Sequence, residues 1–330
     1  MNMKWSSTLL TLGVSWLWGT TQSFSQNIDR FVVSGEFSMP FYPLRPSGLC
    51  EVPVWSGGAF VRCDVDGVTT PTIHSIDSTG QDSLFVFSLP GAKTIHVTGI
   101  AHGRNNALAI VGGAFDDSGH IAQFISWVSP DRNVVNTMRT SGYIPKYVSV
   151  APDGTIWTVG WEPSDPNNYA TPLNPGVNIV RHFDSSVKLL DSYVPQRSMP
   201  SRLHAVGNGG YLVASSDRIG LYEKDSPYRE ILFADKRVTE YPGIQIHPRE
   251  SILGMAVTDD GSVFVNTSAY EGSRGFHLYE LDRNQAEWVP IDWPSVHPTQ
   301  AKLWNLLGGD GNTLMFRTST EGRSRALTVK

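Results

Sequence analysis

Three loops in the second half of the chain combine cationic side chains with aromatic rings, a combination that suits an anionic or sugar-like ligand. The loops span residues 196–204, 246–251 and 296–304. With one acidic side chain that we expect on the same rim, the candidate ligand-binding residues are Glu162, Arg197, Arg202, His204, His247, Arg249, His297, Lys302 and Trp304. The simpler interpretation of each is a loop side chain that hydrogen-bonds only to nearby backbone.

Familiar catalytic and metal-binding motifs are missing from the sequence. It lacks the GxSxG motif of serine hydrolases and the HExxH motif of zinc proteases. The stretches DVDG (64–67) and DDSG (116–119) contain fragments of a calcium loop, but neither continues to the closing Glu of the twelve-residue motif. We interpret both as turns. The residues therefore predict no metal site and no cofactor, and they identify no catalytic residue.

The two cysteines bracket a predicted hairpin. Cys50 and Cys63 enclose EVPVWSGGAFVR, in which two apolar runs flank a turn at residues 56–58. Cys50 lies near the start of the first strand and Cys63 near the end of the second, so a disulfide could join them across the pair. Such a pair is usually bridged in an exported protein. The alternative is two buried free thiols.

The N-terminus has the pattern of a signal peptide, which we assign to residues 1–25. Lys4 precedes the apolar run 9–18, and small residues lie just before the expected cleavage point after Ser25. No later stretch approaches the length of a membrane span, so residues 26–330 are expected to form one secreted or periplasmic domain. The formal net charge of −5 gives no reason to expect a nucleic acid partner.

A turn followed by a short apolar strand recurs about every fifty residues. Each copy has Gly, Asn or Asp at the bend, where a positive φ is easily adopted. The central residues of the six strands are spaced by 49, 47, 56, 51 and 51 residues, and they are Val61, Ile110, Trp157, Val213, Phe264 and Met315. This period in short strands is typical of propeller blades.

The segments around each repeat predict four strands per blade. An apolar run precedes each bend, and a third strand and a more polar outer strand follow it, as in 178–184 and 187–194. The last blade has no room for an outer strand before Lys330. The segment 28–37 is expected to supply it and to close the ring. The prediction is an all-β, six-bladed β-propeller with four-stranded blades.

Blade three resembles the NHL and gluconolactonase-like family of six-bladed propellers. The resemblance consists of Pro145, VSVAPDGTIWTVG (148–160) and NIVRHFDSS (178–186), and Pro200, Pro248 and Pro298 repeat the proline before later blades. The family's lactonases bind a divalent metal in the central channel through Glu, Asn and Asp side chains. Only Glu162 is a nearby acidic candidate, so this ligand set has no counterpart here.

Two functions remain open from the sequence. The first is a non-catalytic module that binds a protein or glycan-like partner at the rim named above, beside the long loop 161–178. The alternative is a metal-dependent hydrolase or lyase of the lactonase type, with a divalent cation and its site at the channel mouth. The oligomeric state is not indicated.

We predict that Cys50 and Cys63 form a disulfide. The loop-entropy model assigns roughly 3 kcal/mol to a bridge that closes about fourteen residues. The intact mass of the protein should rise on reduction by the mass of two hydrogen atoms. Two thiols that react with an alkylating reagent in unreduced native protein would contradict the pairing.

Overall fold

The structure is a computed structural model, and it describes part of the chain. The described residues are 31–38, 54–64, 70–133, 135–165, 168–172, 178–194, 200, 202–206, 209–233, 239–241, 244–246, 251–268, 276–282, 287–291, 304–318 and 323–329. All the elements assigned in these ranges are β-strands. The predicted signal peptide, residues 1–25, lies outside the described residues.

The first fifteen strands run from the N-terminus to the end of the third repeat. They are β1 (Phe31–Ser38), β2 (Val54–Ser56), β3 (Ala59–Asp64), β4 (Thr72–Asp77), β5 (Asp82–Val86), β6 (Thr94–His102), β7 (Leu108–Phe115), β8 (Ile121–Val128), β9 (Val135–Arg139), β10 (Ile144–Val150), β11 (Ile156–Trp161), β12 (Pro163–Asp165), β13 (Asn168–Pro172), β14 (Ile179–Phe183) and β15 (Leu189–Tyr193).

The remaining thirteen strands complete the chain. They are β16 (Arg202–Val206), β17 (Gly210–Ala214), β18 (Arg218–Tyr222), β19 (Arg229–Leu232), β20 (Thr239–Tyr241), β21 (Ile244–Ile246), β22 (Ser251–Val257), β23 (Val263–Ser268), β24 (Phe276–Asp282), β25 (Glu287–Ile291), β26 (Trp304–Asp310), β27 (Thr313–Thr318) and β28 (Arg323–Val329).

These strands form an all-β propeller with four-stranded antiparallel blades. Sheets one to five are β2–β5, β6–β9, the set β10, β11, β14 and β15, then β16–β19 and β22–β25. A further four-stranded sheet, sheet six, has the order β26, β27, β28, β1. Five sheets are thus continuous along the chain apart from short insertions, and sheet six combines the two ends of the described chain.

The predicted turn-plus-strand repeat supplies the second strand of each sheet. The six central residues named above lie in β3, β7, β11, β17, β23 and β27, and each is at most 3% exposed. Their strands are covered on both faces by neighbouring sheets, so apolar residues fill them without alternation. In β11, for example, every residue from Ile156 to Gly160 is buried. The sequence prediction of these strands is confirmed.

The first strands of neighbouring sheets contact one another in a cycle around a central channel. β2 contacts β6, β6 contacts β10, and β10 contacts β16; β16 contacts β22, β22 contacts β26, and β26 contacts β2. Hydrogen bonds tie several of these junctions. Thr98 Oγ1 donates to Pro145 O at 3.0 Å, and the Ala205 N–H donates to Ser149 Oγ at 2.9 Å.

Glycine lets these first strands approach one another closely. A Cβ added to Gly254 in β22 would lie 2.2 Å from the carbonyl oxygen of Leu306 in β26, and one added to Gly308 would lie 2.2 Å from Trp55 O. Real Cβ atoms do not come this near to backbone oxygen. The absence of a side chain at these positions therefore sets the spacing between sheets five, six and one.

The strand predicted to pair with the C-terminal end lies where the sequence placed it. β1 pairs antiparallel with β28, with Phe31 opposite Val329 and Ser38 opposite Arg323. A register shift lies between Val33 and Gly35. Sheet six therefore obtains its outer strand from the N-terminal side of the chain.

The predicted hairpin at the first repeat is also present, with Trp55 of β2 opposite Phe60 of β3. Cys63 is buried near the end of β3. Cys50 lies outside the described residues, so its pairing with Cys63 stays a prediction.

Two features refine the sequence interpretation of the loops. The long loop 161–178 contains a short ladder in which β12 pairs with β13, a structure that its proline-rich sequence did not suggest. The DDSG stretch is a turn, because Asp116 Oδ1 accepts the backbone N–H groups of Ser118 and His120 at 2.8 and 2.9 Å. These two bonds lower the pKa of Asp116, with that from His120 contributing most.

We predict that Gly254→Ala destabilises the protein more than Gly99→Ala. A Cβ at Gly99 in β6 would lie 3.0 Å from Lys146 O, a contact that a small shift relieves, whereas Gly254 requires β22 and β26 to separate. Overpacking of this kind typically costs about 1–3 kcal/mol. Chemical denaturation of the two variants and the parent measures the difference. Equal stability of the two variants would contradict the close approach at Gly254.

Candidate functional site

The central channel contains a cavity of 640 Å³ among the described residues. Its walls are the C-terminal ends of the first strands and the turns that follow them. At sheet four the cavity extends along β16. It also reaches β18 and the residues that follow β18, on the face of sheet four that packs against sheet five. The lining residues that matter for the chemistry below are Trp55, Ser56, His102, Arg104, Ser149, Arg202, Leu203, His204, Glu223, Lys224, Met255, Asp259, Leu307 and Asp310.

The cavity has an apolar wall and a polar rim. Trp55, Met255 and Leu307 are buried at 5–6% exposure, and they come from the first strands of three sheets. Polar groups lie at the strand ends, because the chain turns there and side chains are no longer covered by both neighbouring sheets. A cavity of this size, lined about equally by apolar and polar surface, is large enough for a small molecule.

His102 is a buried, uncharged member of this lining. Its side chain contributes to the wall at the end of β6, and its Nδ1 lies 3.2 Å from Gly57 O on sheet one. Burial lowers the pKa of His102, and the hydrogen bond to Gly57 offsets only part of that effect. The imidazole is therefore neutral at neutral pH. Ser56 Oγ donates to His102 O at 2.8 Å and joins the same two sheets.

Three charged side chains form a cluster of ion pairs at the turns that follow the first strands. Arg104 follows β6 in sheet two, Asp259 follows β22 in sheet five, and Asp310 ends β26 in sheet six. Arg104 Nη2 donates to Asp259 Oδ1, and Arg104 Nε lies 3.4 Å from Asp310 Oδ1. The bond to Asp259 is the main cause that raises the pKa of Arg104, so the guanidinium stays charged.

The structure brings two of the predicted rim residues into the channel. Arg202 and His204 lie in β16 and line the cavity. Both are partly buried, and both have interactions with other groups. Glu223 and Lys224 follow β18 and line the part of the cavity that faces sheet five.

Glu162, the acidic residue predicted for the same rim, lies outside the cavity. It follows β11, at the end of the strand away from the Asp153–Gly154 turn, and its Oε1 accepts a hydrogen bond from Arg181 Nη2 at 3.2 Å. The Arg181 guanidinium in turn stacks 4.1 Å from the ring centroid of Tyr143. Glu162 is thus part of a surface ion pair on sheet three and does not line the channel cavity.

The other predicted residues cannot be compared with the cavity. Trp304 is the first residue of β26, but its side chain lies outside the described part of the structure. Arg197, His247, Arg249, His297 and Lys302 lie outside the described residues altogether.

Arg104, Asp259 and Asp310 were missed by the sequence interpretation. The turns at 104–107, 259–262 and 309–312 were considered only for the backbone conformation that Gly, Asn and Asp adopt there. The available signal was that charged residues of opposite sign occupy corresponding turns of three repeats. Such a pattern becomes meaningful only when the turns are known to converge on one channel mouth.

Within the described ranges, no three His, Cys, Asp or Glu side chains group closely enough to hold a metal ion. Of the three described carboxylates in the lining, Asp259 and Asp310 are engaged by Arg104, and Glu223 Oε2 lies 3.7 Å from Arg229 Nη2. Among those same residues, no helix is long and apolar enough to span a bilayer.

No protein-family profile matches the sequence, and a search of curated proteins returns no match. Among solved structures the chain is similar to BBS1N in complex with ARL6DN, soaked with lead, at 15% identity and a TM-score of 0.46, over 92% of this chain and 85% of that one.

Two other solved structures are similar. A protein from Lactobacillus plantarum is 11% identical, with a TM-score of 0.48 over 82% of this chain and 77% of that one. The β-propeller domain of the Trilobed protease from Pyrococcus furiosus is 12% identical, with a TM-score of 0.44 over 84% and 94%. Similarities at this level carry no conclusion about function.

Proposed function

We propose that the protein is a non-catalytic binding propeller whose channel cavity takes a neutral, hydroxyl-rich ligand of the glycan type. The observation that supports this is the balance of charge around an apolar wall. Among the residues that the structure describes, the formally charged lining residues are three cations, Arg104, Arg202 and Lys224, and three anions, Glu223, Asp259 and Asp310. They sum to zero.

A balanced lining favours a neutral ligand for a simple electrostatic reason. A rim without net charge has no long-range attraction for an ion of either sign. Its carboxylates and guanidinium groups are nevertheless strong acceptors and donors, and a sugar offers hydroxyl groups that do both. The apolar residues Trp55, Met255 and Leu307 suit the less polar faces of such a ligand.

The closed six-bladed ring predicted from the sequence is part of this proposal. It is supported by the pairing of β1 with β28 and by the contacts of β26 with both β22 and β2. With sheet six as a blade of its own, the channel would be enclosed on all sides. The NHL and gluconolactonase-like resemblance and the export of the protein to the periplasm or the medium remain proposals of the same kind, based on sequence alone.

A protein partner is the second candidate, and a separate observation favours it. The large apolar side chains that are exposed in the described structure lie in or beside the outer strands of sheets one to four: Leu84, Val86, Val135, Leu189, Leu190, Val194 and Leu232. Outer strands also carry unpaired backbone groups, which makes them suited to contact with another chain. Such a partner would bind the perimeter and leave the channel free.

The metal-dependent lactonase or lyase is the alternative with the least support. It requires a divalent cation in the channel, and the carboxylates described there already pair with guanidinium groups: Asp259 and Asp310 with Arg104, and Glu223 with Arg229. Metal analysis of the purified protein distinguishes it from the binding module. A stoichiometric divalent metal together with lactone hydrolysis would replace our proposal.

We predict that the protein binds neutral oligosaccharides and that His204→Ala weakens the binding by roughly tenfold, the effect of removing one hydrogen bond to a bound ligand. Titration calorimetry with a panel of neutral oligosaccharides and matched uronic-acid oligosaccharides measures both affinity and preference.

Lys188→Ala is the control, because Lys188 is exposed beside the outer strand β15 and away from the channel. It should bind like the parent. The absence of binding by any neutral oligosaccharide, or equal affinity of His204→Ala and the parent, would contradict a channel site for glycans.

A further inference from the structure

The Arg104 ion pairs join opposite sides of the channel mouth. In the cycle of first strands, sheet two and sheet five are separated by two sheets on either side. Arg104 extends from the turn of sheet two to Asp259 of sheet five and Asp310 of sheet six. All three side chains line the cavity. A ligand that enters between these turns therefore meets the Arg104 side chain.

Hydrogen bonds hold the turns that carry the three charged side chains. The Gly103 N–H donates to Ala107 O at 2.9 Å and the Asn106 N–H to Gly103 O at 2.9 Å, which closes the turn that carries Arg104. Arg132 Nη1 also donates to Asn106 O at 2.6 Å. On the far side, the Asp259 N–H donates to Gly311 O at 2.8 Å and ties the turns of sheets five and six.

The ion pairs themselves are weak by comparison. The Arg104 side chain is 48% exposed, and those of Asp259 and Asp310 are 47% and 29% exposed. Water and salt screen ion pairs at this exposure, and they contribute little to stability. The side chain can therefore leave its partners while the turns keep their places.

We propose that Arg104 is a gate that closes this mouth of the channel and opens by release of Asp259 and Asp310. A hydroxyl-rich ligand can replace the hydrogen bonds that the open state loses, so the gate favours the ligand class proposed above. The inference rests on the cavity being a binding space, but its opening can be measured without any ligand.

The test uses a cysteine behind the gate as a reporter. Ile100 lines the cavity in β6 and is partly buried, so Ile100→Cys places a thiol below the mouth. The probe is N-ethylmaleimide, which is neutral, so a change of charge at the mouth does not attract or repel it. Parent protein without the new cysteine gives the background.

In the Ile100→Cys background, Arg104→Ala should accelerate the reaction roughly threefold to tenfold, the range expected for loss of exposed ion pairs. Raising NaCl from about 0.1 M to about 1 M should accelerate the reaction when Arg104 is present and leave Arg104→Ala unchanged, since salt screens the pairs. Asp259→Asn, which keeps the shape of the side chain, should also accelerate it.

Arg139→Ala is the matched control, because Arg139 ends the outer strand β9 of sheet two. It should leave the rate unchanged. Any of three results would overturn the gate. The rate could be unchanged in Arg104→Ala, Asp259→Asn could fail to accelerate the reaction, or salt could have the same effect with and without Arg104. If the gate fails this test while oligosaccharides still bind, the proposed function stands without the gate. If the gate passes while no oligosaccharide binds, the gate stands and the proposed function fails.

Discussion

The close contact between the first strands of neighbouring sheets is the constraint on which the channel depends. At Gly254 and Gly308 the backbone of the next sheet lies where a side chain would otherwise begin. This spacing places the strand ends in a narrow cycle and brings turns from distant parts of the chain to one mouth. Arg104 and Asp259 are 155 residues apart in sequence, and they meet because their strands are held at this distance.

The same constraint explains the division of the site into an apolar wall and a polar rim. Between sheets, both faces of a strand are covered, and residues such as Ile110 and Phe264 are fully buried. At the strand ends the covering stops, so charged groups can line the channel without the cost of complete burial. His102 lies at the boundary, where burial keeps it neutral while its ring nitrogen still contacts the neighbouring sheet.

Much of the fold could be predicted from local sequence signals. A bend rich in Gly, Asn or Asp before a short apolar run is a local pattern, and it identified the second strands that contain Trp157 and Met315. The partner of the N-terminal strand also followed, because the last repeat lacked a fourth strand. The charged groups that line the channel could not be predicted from local sequence signals. Arg104 acquires its role from contacts with two turns far away in the chain, and Glu162, which looked available, is paired with Arg181 on sheet three.

The pairing of β1 with β28, which joins the two ends of the described chain in sheet six, is the central claim, and hydrogen exchange tests it most directly. Backbone amides of β28 should be slow to exchange in the full chain, and they should lose protection when residues 26–38 are removed, because β28 then becomes an exposed edge. Amides of β4, in sheet one, should retain more of their protection and serve as the internal reference. Equal protection of β28 with and without residues 26–38 would contradict the pairing of the two ends of the described chain in sheet six.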